Sequence, residues 1–128
     1  MKILGIGVDI VENNRIKSSI KNSMFKNRVY SIKELKQSTK SKNRTRYFSK
    51  RFAAKESFAK ALGTGFRNHL NFKDIEVTND KMGKPYFIKT KKIVKIVQKT
   101  FKVKNFNCFL SISDEKEYST AFTIIQST

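Results

Sequence analysis

Thr45 to Leu62, TRYFSKRFAAKESFAKAL, is the stretch from which the rest of the chain is understood. It holds neither Gly nor Pro, is rich in helix formers, and runs into Gly63, a residue suited to the left-handed cap that ends a helix. At 100° per residue, Phe48, Phe52, Lys55, Phe58, Ala59 and Leu62 share one arc, with Glu56 at its edge and Lys60 one turn later. The spacing predicts a long helix whose apolar face is bordered by an acid and an ammonium.

Upstream, ILGIGVDIV (Ile3 to Val11) is a run of β-branched residues and Leu interrupted by two glycines and one acid. That pattern predicts a short buried strand with Asp9 near its end. Between these two elements, Arg15 to Arg46 carries eleven Lys and Arg against the single acid Glu34. Ser31 and Glu34 have capping-box spacing, and short helices are expected over 13–29 and 32–38, followed by a polar, mobile loop from Gln37 to Asn43. Downstream, Asp74 to Asn79 and Pro85 to Lys89 are expected strands joined by the turn Asp80 to Gly83. Thr90 can cap a helix through Phe101, along which Ile93, Val94, Ile96, Val97 and Phe101 recur at helical spacing. Asn107 to Ser113 and Tyr118 to Gln126 form a last pair of strands around the acidic turn DEKE. The order β, helices, β, β, helix, β, β implies an α+β fold, a single domain over 1–128, with a mainly antiparallel sheet packed on the long helix.

The 128 residues suffice for one modest core, and at 38% apolar the chain is too hydrophobic for plain disorder. Its net charge of +18 predicts attraction to polyanions: nucleic acid, anionic membrane, phosphorylated cofactors or an acidic protein. A lone Cys108 excludes an internal disulfide and any multi-cysteine zinc site, and a lone His69 excludes two-histidine metal motifs. Cys108 lies in an apolar strand as a small hydrophobe, and His69 is a loop or packing residue. No apolar run reaches membrane-spanning length, and Ile3 to Val8 is too short for a signal-peptide core. The expectation is a soluble, cytoplasmic protein of a reducing compartment, with no membrane span.

Asp9 and Glu56 are acids in otherwise apolar or basic surroundings. Such hard oxygen donors suit magnesium, which is usually held by one or two carboxylates while water and substrate phosphate complete its shell. The plainer reading of Glu56 is an ion pair with Lys60 at helical spacing. Gly63, Thr64 and Gly65 either let backbone amides approach a phosphate or simply close the helix. The basic block either binds RNA phosphates, with Phe25, Tyr30, Tyr47 and Phe48 as stacking groups, or is a solvated surface over core aromatics.

GVDIVE at 7–12, RFAAKESFAKALGTG at 51–65, NDKMGKP at 79–85 and LSISDEKEYSTAFTII from Leu110 to Ile125 occur in that order over nearly the whole chain. Together they resemble the holo-acyl-carrier-protein synthase family, the small bacterial type of 4′-phosphopantetheinyl transferase. The resemblance implies magnesium-dependent transfer of the phosphopantetheine arm of coenzyme A to a serine hydroxyl of apo acyl carrier protein, releasing adenosine 3′,5′-bisphosphate in support of fatty acid biosynthesis. By the same resemblance Asp9 and Glu56 bind Mg²⁺, and Lys60 with Gly63, Thr64 and Gly65 holds phosphate oxygens. Arg51 and the Lys42 to Arg44 region face the 3′-phosphate, Gly83, Lys84 and Pro85 lie near the nucleotide, and Glu56 or a water on the metal takes the serine proton. A basic helix bearing Arg15, Lys17, Lys21 and Arg28 docks the acidic carrier protein, and the family implies a homotrimer with sites between subunits.

Two positions depart from the family's pattern. Asp114 stands where many relatives have a histidine, and an ionised carboxylate cannot donate to a phosphate. Val11 stands where larger two-lobed relatives have an acid, leaving Glu12 on the opposite strand face, so water fills that place on the metal. The rival from another class is a small basic RNA-binding or ribosome-associated protein, for which this charge is ordinary. Asp9 and Glu56 within the motifs, and the lack of an RRM-like aromatic signature, argue against nucleic acid as the partner.

Overall fold

The first strand fixes everything that packs on it. β1 (Lys2–Glu12) is followed by α1 (Asn13–Ser19), α2 (Ser23–Val29), α3 (Ile32–Ser38) and the long α4 (Arg44–Leu62). Next come a 3₁₀ turn (Phe72–Asp74), β2 (Val77–Asn79), β3 (Pro85–Phe87), α5 (Lys91–Phe101), β4 (Phe106–Asp114) and β5 (Tyr118–Ser127). This is a computed structural model, and it describes residues 1–67 and 69–128. β1, β5 and β4 form an antiparallel sheet in that order, and β2 pairs with β3 in a separate antiparallel ribbon. The α+β architecture with antiparallel pairing is as the sequence predicts.

Helix boundaries follow their capping chemistry. The stretch 13–29 resolves into two helices, because the Asn22 side chain accepts from Met24 N and Phe25 N and starts α2 afresh. Ser31 and Glu34 close the expected capping box on α3, Thr90 caps α5, and Gly63 ends α4 with φ +82°. α3 fills the expected range 32–38, so the polar loop begins only after Ser38. The strand expected from Asp74 begins only at Val77, since Asp74 closes the 3₁₀ turn by accepting from Asn71 N.

α4 is buried on nearly every side, not on one arc: Tyr47, Ser49, Arg51, Ala53, Ala54, Ser57 and Ala61 are as covered as Phe48, Phe52, Phe58 and Leu62. The sheet lies on one flank, and α3, the 3₁₀ turn and β2 on another. Lys55, fully buried, donates from Nζ to Glu34 Oε1 (2.7 Å), Phe72 O (3.0 Å) and Ile75 O (2.5 Å), so each ammonium proton has an acceptor. Glu34 in turn accepts from Ser31 N and Val77 N, and its carbonyl accepts from the Tyr47 hydroxyl.

β1 corrects the expectation of a buried strand. Gly7 and Val11 point at α4, whereas Ile6, Val8 and Ile10 on the alternate face are 61%, 60% and 65% exposed. They are joined by Phe109 of β4 and Phe122 of β5, so one face of the sheet is an open apolar surface.

The packed face of β1 needs its glycines. A Cβ on Gly5 would lie 1.9 Å from Ala61 O, and one on Gly7 would lie 2.0 Å from Ser57 O. Helix backbone fills the room a side chain would take. Gly7→Ala must push α4 off the sheet, and overpacking against backbone is expected to cost about 3 kcal/mol, read as a lower denaturant midpoint. An unchanged midpoint would show that the helix is free to move.

Candidate active site

Asp9 follows Gly7 by two residues and so shares its inward face. On α4, Ser57 and Ala61 meet the two glycines, which leaves Glu56 and Lys60 one step round the helix at the rim of β1, the outer strand of the sheet. Helical side chains lean toward the N-terminus, and Lys60 accordingly reaches back: its Nζ donates to Asp9 Oδ1 at 3.2 Å and to Val8 O at 3.0 Å. The ion pair expected between Glu56 and Lys60 is therefore replaced by one between Lys60 and Asp9. Glu56 takes part in no ion pair among the described residues.

The two acids feel one another. Burial, then the negative charge of Asp9, raises the Glu56 carboxyl above the ordinary glutamate range, while Lys60 and Arg15 pull it back. Burial also raises Asp9, against the opposing hydrogen bond and charge of Lys60 and the charge of Arg15. Two half-buried carboxylates that disfavour each other's ionisation are relieved by a cation, and their oxygens are the donors a hard divalent ion prefers. This chemistry fits magnesium. Arg15, expected only on the docking face, also stands by this pair, with its guanidinium carbon 5.8 Å from the centre of the Phe52 ring.

Other expected residues fall less simply. Lys42, Arg44, Gly83 and Lys84 are exposed, and Pro85 is half-buried. Arg51 is only 5% exposed: it lies over Tyr47, 3.8 Å from the ring centre, and donates to Asn79 Oδ1 at 2.8 Å. Asn79 Nδ2 donates onward to Gly83 O at 2.9 Å, and Asp80 Oδ1 accepts from Met82 N and Lys84 N. Arg51 thus braces the Gly83 turn from within, and its Nε has no hydrogen-bond partner among the described residues. The amides of Gly63 and Gly65 are bonded to Lys60 O and Ala59 O, so this turn serves first to close α4.

Arg15 and Lys17 on α1, Lys21 in the turn that follows and Arg28 on α2 are all exposed, so the expected basic helix is two short helices and a turn. Tyr30, Tyr47 and Phe48 are buried, which removes them as base-stacking groups and corrects the reading that a nucleic acid could use them. Phe25 instead begins a run of stacked rings, Phe25 on Phe52, Phe52 on Phe72 and Phe72 on Phe66, between Arg15 and Arg28. No helical or strand period marks that run, because Phe66 lies in a loop and Phe72 in the short 3₁₀ turn. Asp114 pairs with Arg46 at 3.6 Å, joining the last hairpin to the first turn of α4. His69 is exposed, and Cys108 is half-buried with its thiol pushed up to about 11 by burial. Among the described residues no group of three or more His, Cys, Asp or Glu gathers around a point, and no helix is long and apolar enough to cross a membrane.

Known proteins agree over the full length. The profile of the 4′-phosphopantetheinyl transferase superfamily matches residues 5–123. A holo-[acyl-carrier-protein] synthase of Pelagibacter ubique is 63% identical over 126 residues, covering 98% of both chains. That of Clostridium tetani is 47% identical over 127 residues, covering 97% of this chain and 96% of its own. Among solved structures, the Neisseria meningitidis holo-[acyl-carrier-protein] synthase superposes with a TM-score of 0.88 at 35% identity, covering 98% and 99%. The Bacillus anthracis enzyme, crystallised with CoA (3′,5′-ADP), superposes with a TM-score of 0.82 at 35% identity over the whole of both chains.

Because Asp9 raises Glu56, Asp9→Asn is expected to lower the Glu56 titration midpoint, as followed by its carboxyl carbon chemical shift. The midpoint should stay above that of an ordinary glutamate, since burial is the larger cause and remains. A midpoint that does not fall would mean the two acids are uncoupled.

Proposed function

The chain belongs to the 4′-phosphopantetheinyl transferase superfamily, among its holo-[acyl-carrier-protein] synthases, and we propose that it moves the phosphopantetheine arm of coenzyme A to a serine of apo acyl carrier protein at Asp9, Glu56 and Lys60. The observation that carries this reading is the meeting of Asp9 and Glu56 at one rim, between Lys60 and Arg15, inside the family's own motifs.

Asp9 and Glu56 would hold Mg²⁺, which would neutralise charge on the coenzyme A pyrophosphate. The serine oxygen attacks the phosphorus that bears pantetheine, and the bond from that phosphorus to the bridging oxygen breaks. The leaving group is adenosine 3′,5′-bisphosphate. Glu56, at the rim beside Asp9, or a water on the metal would accept the serine proton. Lys60 supplies positive charge to the phosphates, and exposed Lys42, Arg44 and Lys84 with Gly83 and Pro85 offer the surface for the nucleotide end. Arg51 keeps the Gly83 turn in shape from behind. No protein nucleophile is required, which accords with the chain's single His69 and Cys108.

Arg15, Lys17, Lys21 and Arg28 form the docking face for the acidic carrier protein, and the stacked Phe25, Phe52, Phe72 and Phe66 lie in its midst. The open face of Ile6, Val8, Ile10, Phe109 and Phe122 supports a homotrimer, because an apolar surface of this kind is unusual on a monomer. The protein would act in the cytoplasm, in fatty acid biosynthesis.

Apo acyl carrier protein incubated with the chain, coenzyme A and Mg²⁺ should gain the mass of one phosphopantetheine, and EDTA should abolish the gain. No gain, or a gain indifferent to EDTA, overturns the reaction or its metal. For the assembly, light scattering should give three times the 14.9 kDa chain mass, and Val8→Asp should lower it. A monomer that retains full activity would sink the trimer.

A further inference from the structure

Lys60 is bonded to Asp9 and not to its helical neighbour Glu56, although both acids lie within reach of the same rim. The Lys60 side chain is 54% exposed while that of Asp9 is 14% exposed, so the ammonium approaches a sheltered carboxylate from the solvent side. Pairs this open contribute no more than about a fivefold bias. The bond to Asp9 therefore orients Lys60 without locking it. Any second cation drawn to Asp9 competes with the ammonium for the same oxygen. An ammonium that is driven off stays tethered one helical turn from Glu56, at the mouth of the site. Arg15 is placed differently, over the face of Phe52, and acts on the two acids through its charge, with no hydrogen bond to either.

We propose that Lys60 is a displaceable counter-ion: it occupies Asp9 until a divalent cation takes the carboxylate, and then turns to the incoming phosphate. The inference rests on the reading of Asp9 and Glu56 as the metal-holding pair. Its consequence is that cation and phosphate strengthen each other's binding through one side chain. Linkage requires the effect to be mutual: phosphate that draws Lys60 away raises cation affinity by the factor by which the cation raises phosphate affinity.

The test compares the full chain with Lys60→Met, which keeps the stem and removes the charge, and with Lys60→Arg. Mn²⁺ binding is followed by electron paramagnetic resonance at low ionic strength, with Mn²⁺ alone and then with saturating coenzyme A. With Mn²⁺ alone, Lys60→Met should bind about two- to fivefold more tightly than the native chain, and Lys60→Arg should match the native chain. The enhancement of Mn²⁺ binding by coenzyme A should shrink in Lys60→Met. Equal or weaker Mn²⁺ binding by Lys60→Met, or a Lys60→Arg variant that behaves as Met does, overturns the counter-ion exchange while leaving the metal site standing. A native chain that binds no Mn²⁺ overturns the metal assignment itself, and the exchange with it.

Discussion

The approach of α4 to β1 governs the molecule. Carbonyl oxygens of Ala61 and Ser57 occupy the space that side chains on Gly5 and Gly7 would need, so strand and helix lie nearer than any other pair of residues there would allow. Functional geometry follows from that closeness. Asp9 is the next inward residue of the strand after Gly7, and Glu56 and Lys60 flank the residues of α4 that touch the glycines. Close-packed backbone does not yield by tenths of an ångström as an exposed loop would. Two acids distant in sequence are thereby held together by elements that cannot slide.

A second constraint sets the rotation of α4. Buried almost all round, the helix gains little orientation from an amphipathic stripe, and a buried ammonium supplies what the stripe does not. Lys55 collects Glu34 from α3 and the carbonyls of Phe72 and Ile75, while Glu34 collects Ser31 and Val77. Hydrophobic replacements of such pairs are often as stable, so the gain here is in geometry: an ammonium with three fixed acceptors has one satisfactory position. Lys55 and Glu56 are neighbours in the chain, and pinning the first inward leaves the second at the rim. Ser57 adds a peg on the sheet side through its 2.6 Å hydrogen bond with Thr123.

Much of this was legible in the sequence, for physical reasons that differ between elements. Helix ends were marked by residues that do one thing well: Ser31 with Glu34, Thr90 and Gly63. Asp9 and Glu56 stood out because charge is rare in apolar runs. What escaped was whatever depends on a partner far along the chain. Nothing in ILGIGVDIV tells that only one of its faces meets a helix. Arg51 resembles any exposed arginine until Tyr47 and Asn79 enclose it. The periodicity that suggested Lys60 with Glu56 describes a helix in isolation, and the carboxylate that wins Lys60 comes from a strand 51 residues away. The glycines of the Gly63 turn would let a phosphate approach backbone amides, but the amides of Gly63 and Gly65 already bond to carbonyls of the helix.

The charge of the chain and the chemistry of its site are linked through the two carboxylates. Bringing Asp9 and Glu56 together in partial burial is unfavourable, as their raised proton affinities record. Lys60 and Arg15 reduce that cost from close by. The rest of the basic residues behind the chain's net charge of +18 act from further off and are screened by salt within about 10 Å at 0.1 M ionic strength. Long-range charge therefore governs the rate at which anionic partners arrive, and short-range charge governs what the acids do once they have arrived. A chain made less basic at its periphery would lose speed of encounter before it lost chemistry, whereas a change at Lys60 or Arg15 would disturb the carboxylate pair itself.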